Sequence, residues 1–234
     1  MHTIKTYAKV FLDRIGLLDR LRRLHGPQVT RPTLHLGSAY GGWVVCPTDL
    51  SADSIVYSFG VGVDASFDRA VIENYNTQVF AFDPTPGSIA WVADQKWPLN
   101  FKFFPWGLAA RDGTRDFHPP GNPDHISHTI LDLGCQTRRP IQVEMYQLST
   151  IAKRLGHQKI DVLKMDIEGA EYEVIENIVE LEHVSIGQIL VEFHHFYPDV
   201  PRRQTRNAVH LLNASGYCIF HISPSGHEYS FVKL

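Results

Sequence analysis

Three short stretches carry side chains whose types and spacing could do chemistry. The first, Lys164-Met-Asp166-Ile-Glu168-Gly169-Ala-Glu171, sets three carboxylates at i, i+2 and i+5. They straddle the end of an apolar run and the start of a helical one, the edge at which open α/β sheets bind ligands. A helix start alone accounts for Glu171, because acids in a first turn face free N–H groups and the positive end of the helix dipole. It accounts less well for Asp166, which follows Ile160-Asp-Val-Leu-Lys-Met165 and precedes Ile167. The second stretch, Leu190-Val-Glu192-Phe-His194-His195, ends another apolar run. Strand alternation puts Glu192 and His194 on one face, with Val191, Phe193 and His195 on the other. A carboxylate beside an imidazole can serve as a base with its orienting partner. With Asp166 as a third group the same pair could ligate a divalent ion, a reading left open but not favoured.

The third stretch is Ser58-Phe-Gly60-Val-Gly62-Val-Asp64-Ala65, with Asp83 following 21 residues after Gly62. Glycines at a strand exit let backbone N–H groups approach a ligand, and the next helix N-terminus favours electronegative atoms. An acid at the tip of the second strand can accept hydrogen bonds from both hydroxyls of a ribose. Together they point to a cofactor containing adenosine. Gly60-x-Gly62-x-x-Ala65 also satisfies the dinucleotide fingerprint with alanine in third place. Two glycines and no further phosphate cradle suit a sulfonium nucleoside better, so S-adenosylmethionine is the expected cofactor. His125-Ile-Ser-His128 lies in a polar stretch where a spacing of three is weak support for a metal, and Cys46, Cys135 and Cys218 have no partner motif.

These stretches need elements to hold them. Apolar runs at 55–59, 78–82, 101–104, 141–145, 160–165 and 186–193 read as strands, interleaved with helical stretches at 64–75, 89–94, 148–155, 169–178 and 203–214. Alternation of this kind gives a mostly parallel sheet covered by helices on both faces. The last two strands, 217–222 and 228–234, are joined by only Ser223-Pro-Ser-Gly-His227. A parallel crossover takes about a dozen residues, so this pair must be an antiparallel hairpin. Residues 27–54 read as a hairpin or irregular lead-in, and 112–140, rich in Pro, Gly, Asp and His, as an insertion or mobile loop.

Residues 1–30 form a separate N-terminal extension. Ile4, Phe11, Ile15, Leu18 and Leu21 line one side of an amphipathic helix studded with Lys9, Arg14, Arg20, Arg22 and Arg23. It could lie on an anionic membrane surface or, as the simpler expectation, dock on its own domain or on a second copy as a homodimer contact. The 234 residues are 44% hydrophobic and carry a net charge of −3, which describes a globular chain and argues against a nucleic-acid partner. No apolar run reaches membrane-spanning length, the N-terminus lacks a signal-peptide core, and three scattered cysteines suit a reducing compartment. A cytoplasmic protein is expected.

With its motifs in place, the chain resembles the FkbM-type S-adenosylmethionine-dependent methyltransferases. The match is carried by Gly41-Gly42-Trp43, Tyr57-Ser-Phe-Gly60-Val-Gly62-Val-Asp64, Phe80-Ala-Phe-Asp83-Pro84, Gly107-Leu108, Met165-Asp-Ile-Glu168-Gly169-Ala-Glu171 and Val191-Glu192-Phe-His194, in family order. The resemblance implies a class I methyltransferase fold over residues 31–234, a seven-stranded sheet whose last strand is antiparallel. It places Gly60, Val61 and Gly62 under the cofactor, Asp83 and Pro84 at its ribose, and Trp106, Gly107 and Leu108 beside its adenine. Asp166 would sit near the methionine end, with Glu168, Glu192 and His194 facing the acceptor. Where many such enzymes carry an acid near the methionine amino group this chain has Ser58, and Asp64 or Asp166 would have to supply the charge. The acceptor implied is a hydroxyl of a sugar or small natural product, with His194 or Asp166 as base and Glu192 orienting. Two other classes remain. A nicotinamide-dependent oxidoreductase would leave the Asp166–Glu171 cluster idle. A binding module that has lost catalysis would show decay of Gly60, Gly62 or Asp83, all of which persist.

Overall fold

The computed structural model describes residues 24–117, 140–197 and 199–234. The amphipathic stretch before Leu24, His125, His128 and Cys135 fall outside them. Two short strands lead in, β1 (Leu34–Leu36) and β2 (Trp43–Val45). Alternation then begins with β3 (Ile55–Phe59), α1 (Ser66–Tyr75), β4 (Gln78–Phe82), α2 (Pro86–Ala93) and β5 (Phe101–Phe104). After β6 (Gly107–Leu108), β7 (Gly113–Phe117) and β8 (Ile141–Tyr146) come α3 (Leu148–Leu155), β9 (Lys159–Met165) and α4 (Glu171–Val179). The chain closes with β10 (Ser185–Glu192), α5 (Arg202–Ala214), β11 (Tyr217–Ile222) and β12 (Glu228–Lys233).

Seven strands form one sheet in the order β11-β12-β10-β9-β3-β4-β5. Neighbours from β10 through β5 run parallel, while β12 lies antiparallel between β10 and β11. The closing hairpin and the single antiparallel strand are thus as expected from the five-residue turn and from the class I resemblance. Central strands are apolar throughout because both faces are covered. Tyr57, Phe59, Leu163 and Met165 pack with α3, α4 and α5 on one side. Val56, Val79, Ala81 and Val162 pack with α1, α2 and the β1–β2 hairpin on the other.

Several expectations change: α2 begins at Pro86 rather than at 89, and α4 at Glu171 rather than at 169. Gly113–Phe117, read as loop, is a strand that pairs antiparallel with β8 in a separate three-stranded sheet of order β6-β8-β7. Its first four residues are exposed and only Phe117 is buried, so it carries no apolar run to announce it. Helix α1 starts at Ser66 rather than Asp64, because Asp64 Oδ1 accepts from the Ser66 N–H at 2.8 Å and so stands before the first turn. No helix among the described residues is long and apolar enough to cross a membrane.

The hairpin at 34–45 is tied to the sheet by a buried amide. Gln188, in the middle of β10 and fully buried, accepts from the Cys46 N–H at 2.8 Å and donates to the Cys46 carbonyl at 2.9 Å. Ser230 of β12 adds a hydroxyl bond to the Val44 carbonyl at 2.7 Å. Outside the hairpin, Gln28 and Val29 donate their N–H groups to the Ile219 carbonyl and so cover part of the β11 edge. Gln188→Leu would leave both Cys46 backbone groups buried without partners, at about 1–3 kcal/mol each. The expected result is a clear fall in the urea unfolding midpoint, with faster amide exchange concentrated in residues 34–46.

Candidate active site

The parallel strands β3, β4 and β9 end at one edge of the sheet, and a cavity of about 400 Å³ opens there. That volume lies within the range of small-molecule and cofactor sites, roughly 300–1,000 Å³. At its floor the chain turns at Gly60, whose φ is +81°. A Cβ there would run into the Asp166 carbonyl oxygen, so only glycine lets β3 and β9 exit side by side. Gly62 donates its N–H to Asp83 Oδ2 at 2.9 Å, while the Thr85 N–H and hydroxyl donate to Asp83 Oδ1 at 2.9 and 2.6 Å. A carboxylate offers about four acceptor positions, so one remains for a ribose hydroxyl unless a donor swings away.

At one end, Trp106 continues an aromatic series with Phe104 (4.8 Å between centroids) and Phe82 (6.3 Å). Gly107 packs so tightly on Met145 and Pro84 that any side chain there would strike the Met145 sulfur. This is a flat apolar slot suited to an adenine ring. The tip of the β1–β2 hairpin also borders the cavity, beside the glycine turn. Ser38 donates its hydroxyl to Asp64 Oδ2 at 2.7 Å and its N–H to Ser66 Oγ at 2.7 Å, holding Gly41, Gly42 and Trp43 over the cavity. Although burial opposes it, hydrogen bonds from Ser66 and Ser38 hold the Asp64 carboxyl below the usual range.

At the other end, the turn between β9 and α4 meets the exit of β10. Glu171 is fully buried and accepts from the Gly169 N–H at 2.9 Å and from the His194 N–H at 2.9 Å. It also holds His194 Nδ1 at 3.1 Å. The other ring nitrogen, Nε2, faces Glu168 Oε2 at 3.3 Å and Asp166 Oδ1 at 3.7 Å. Tyr197 donates its hydroxyl to Glu168. Glu168 itself adopts φ +54°, a left-handed conformation rare outside glycine.

The charges of these groups follow from their surroundings. Burial alone would pull the His194 pKa down, but hydrogen bonds to Glu168 and Glu171 and the nearby carboxylate charges outweigh it and push it up to about 11. His194 is therefore an imidazolium at neutral pH. Asp166 is pushed up to about 6, chiefly by burial and by its carboxylate neighbours, with Lys164 and His194 pulling back. Glu192 is pushed up to about 8 by burial and by the charge of Asp166.

Of the residues singled out from the sequence, Gly60, Val61, Gly62, Asp64, Asp83, Pro84, Trp106, Gly107, Leu108, Asp166, Glu168 and Glu192 border the cavity. Two do not. Ser58 is fully buried beneath the glycine turn, close to Asp68 of α1, so a contact with cofactor is corrected to a place in the sheet–helix layer. His194, at 2% exposure, stands behind Asp166 and Glu168 instead of facing an acceptor, because Glu171 takes its backbone and its ring together. Sequence reading gave Glu171 only a place at a helix start and assigned no role to Tyr197, Glu228 or Lys164. Glu228 borders the cavity from the start of β12, and only the hairpin topology brings it there.

Asp166, Glu192 and His194 each offer a ligand atom, all within 4.8 Å of one another. The number of donors suits a divalent cation. Ligation by His194 would require loss of the Nε2 proton that Glu168 holds and the Asp166 charge favours, so the chemistry of the set favours a proton in that place.

The family model for the methyltransferase FkbM domain matches residues 60–218. The chain is 29% identical over 172 residues to a probable methyltransferase-like protein 24 of Rattus norvegicus, covering 69% of this chain and 41% of that protein. It is 26% identical over 139 residues to the 2-O-methyltransferase NoeI of Sinorhizobium fredii, covering 53% of this chain and 56% of that protein. The chain thus spans less than two thirds of the length of these curated relatives. Among solved structures, fibrillarin from Aeropyrum pernix with natively bound S-adenosyl-L-methionine gives a TM-score of 0.42 at 9% identity, over 79% of this chain and 66% of that one.

The protonation of Glu192 has a thermodynamic signature. A carboxyl whose folded pKa lies above its ordinary 4.5, here near 8, binds its proton more tightly in the native state. Its contribution to stability is therefore greatest below pH 4.5 and is lost as pH rises toward 8. Glu192→Gln cannot ionise and escapes that loss. Its unfolding midpoint relative to the parent should improve from pH 5 to about pH 8 and level off above it. A difference that stays constant with pH would mean that Glu192 is ionised throughout.

Proposed function

The chain belongs to the methyltransferase FkbM family, and we propose that it transfers the methyl group of S-adenosylmethionine to a hydroxyl of a sugar or small natural product. The observation that carries the hydroxyl reading is Asp166: a carboxylate at the cavity wall, about one-third exposed overall, whose buried Oδ1 faces His194 Nε2 at 3.7 Å with no hydrogen-bond partner among the described residues, and whose pKa is near 6. Bound S-adenosylmethionine would supply a methyl carbon activated by its sulfonium. Gly60, Val61, Gly62 and the hairpin tip would hold its amino-acid part, Asp83 its ribose, and Trp106, Gly107 and Leu108 its adenine. The 2-O-methyl chemistry in the name of NoeI supports an oxygen acceptor.

In this reading Asp166 would take the proton of the acceptor hydroxyl, and bound S-adenosylmethionine would supply the methyl carbon to that oxygen and keep the displaced electron pair on sulfur. Placement of the oxygen in line, at about 3–3.5 Å from the carbon, lowers the barrier by several kcal/mol. Proton removal by a positioned base adds roughly 10²–10⁴-fold. A carboxyl with a pKa near 6 is ionised at neutral pH yet basic enough to accept that proton. His194 is a positioning residue: its fixed positive charge keeps Asp166 ionised and holds the turn that carries it. Glu192, protonated at neutral pH, donates a hydrogen bond that orients the acceptor.

Calorimetry with S-adenosylmethionine, S-adenosylhomocysteine and NAD tests the cofactor directly. Both sulfur nucleosides should bind at micromolar concentration and lose affinity in folded Asp83→Ala, while binding of NAD alone would replace methyl transfer with hydride transfer. In a turnover assay on hydroxyl acceptors, Asp166→Asn should lower the rate by about 10²–10⁴-fold with nucleoside affinity nearly unchanged. The parent rate should rise with pH through an apparent pKa near 6. Turnover that vanishes with EDTA and returns with Mg²⁺ would shift the role of Asp166, Glu192 and His194 to metal ligation.

A further inference from the structure

Six carboxyl groups border the cavity, those of Asp64, Asp83, Asp166, Glu168, Glu228 and the protonated Glu192, and among its described lining residues Lys164 is the only cation. Lys164 is 5% exposed. It lies on β9 directly across from Ser58 on β3, so it rises beside the glycine turn. Its Nζ donates to the Gly60 carbonyl at 2.6 Å and lies 5.7 Å from the Trp43 ring of the hairpin tip. An ammonium has three donors, and this leaves two. A lysine buried among so many acids could be structural, countering Asp68 in the layer below. Yet Lys164 reaches the cavity wall while Asp68 does not, and its ammonium is held at the Gly60 turn that forms the cavity floor.

A ligand entering this cavity meets a field that favours positive charge and repels negative charge everywhere except near Lys164. S-adenosylmethionine carries a sulfonium, an α-ammonium and one α-carboxylate. The first two suit the carboxylates; the third needs a cation. Resting on the cofactor reading above, we propose that Lys164 binds the α-carboxylate of the amino-acid portion of the cofactor, and that it fixes the orientation of the methionine end by doing so. In a cavity so rich in acids, a carboxylate placed anywhere but beside Lys164 would face repulsion from several sides. Lys164 therefore selects which end of the nucleoside points toward Asp166.

The test compares two ligands that differ in the amino-acid portion. S-adenosylhomocysteine carries it, and 5′-methylthioadenosine lacks it. By calorimetry, Lys164→Met should weaken S-adenosylhomocysteine by tenfold or more and leave 5′-methylthioadenosine within about twofold, while Lys164→Arg keeps most of the preference. Equal weakening of both ligands would mean that Lys164 acts through the Gly60 turn, and no change in either would mean that the carboxylate lies elsewhere; both results overturn the proposal. Should Lys164→Met fail to fold, the parent alone decides, because decarboxylated S-adenosylhomocysteine should bind it at least tenfold more weakly than S-adenosylhomocysteine. Equal affinity there overturns the proposal. A parent that binds adenosine ligands regardless of the amino-acid portion defeats only the role of Lys164, whereas a parent that binds none of them defeats the cofactor reading as well.

Discussion

A carboxylate with no exposed surface must find donors inside the protein, and Glu171 finds three: two backbone N–H groups and the ring of His194. Left unpaired it would cost several kcal/mol, whereas hydrogen bonds to a charged group return about 1.5–3 kcal/mol each. The donors come from two places, the turn after β9 and the exit of β10, so satisfying Glu171 fixes those segments to each other. Asp166 and Glu168 ride on the first and Glu192 on the second. Their separations are thus set by a group that does not touch the cavity.

The same clasp decides which groups can titrate in the working range. His194 is buried, which opposes its positive charge, but it is surrounded by Glu168, Glu171 and Asp166, and the carboxylates prevail. A permanently charged imidazolium is a poor base and a good electrostatic prop. The freedom to gain and lose a proton near neutral pH passes to Asp166 and Glu192, whose burial and neighbouring carboxylates raise them above ordinary carboxyls. Division of labour between a fixed charge and a titrating pair is what environment alone can make out of similar side chains.

The alternation of strands and helices, the glycine turn and Asp83 were legible because each is local: apolar runs of four to eight residues, a Gly-x-Gly at a strand end, an acid at the next. The closing hairpin was legible from loop length. Gly113–Phe117 was not, since an exposed edge strand needs no apolar pattern. Ser58 was expected at the cofactor and His194 facing the acceptor, and neither borders the cavity. In both cases the deciding partner, Asp68 or Glu171, lies on a helix whose packing no local spacing reveals. Lys164 was hidden for a related reason: in sequence it is one lysine in an apolar strand, and only the convergence of acids from several elements makes it the cavity's lone cation among the described lining residues.

Glu168 shows why such a site tolerates an unfavourable backbone. At φ +54°, followed by Gly169 at φ +102°, the turn after β9 takes two left-handed residues in succession. A side chain in that region costs about 1–2 kcal/mol, and a glycine would remove the cost. The side chain nevertheless receives the Tyr197 hydroxyl and pairs with His194 Nε2, contacts that a glycine cannot make. Strain at one φ angle is offset by two charged contacts that hold His194 in its protonated state and Tyr197 against the turn. The outlier in the backbone therefore marks a position where the identity of the side chain, and not the path of the chain, is what the fold retains.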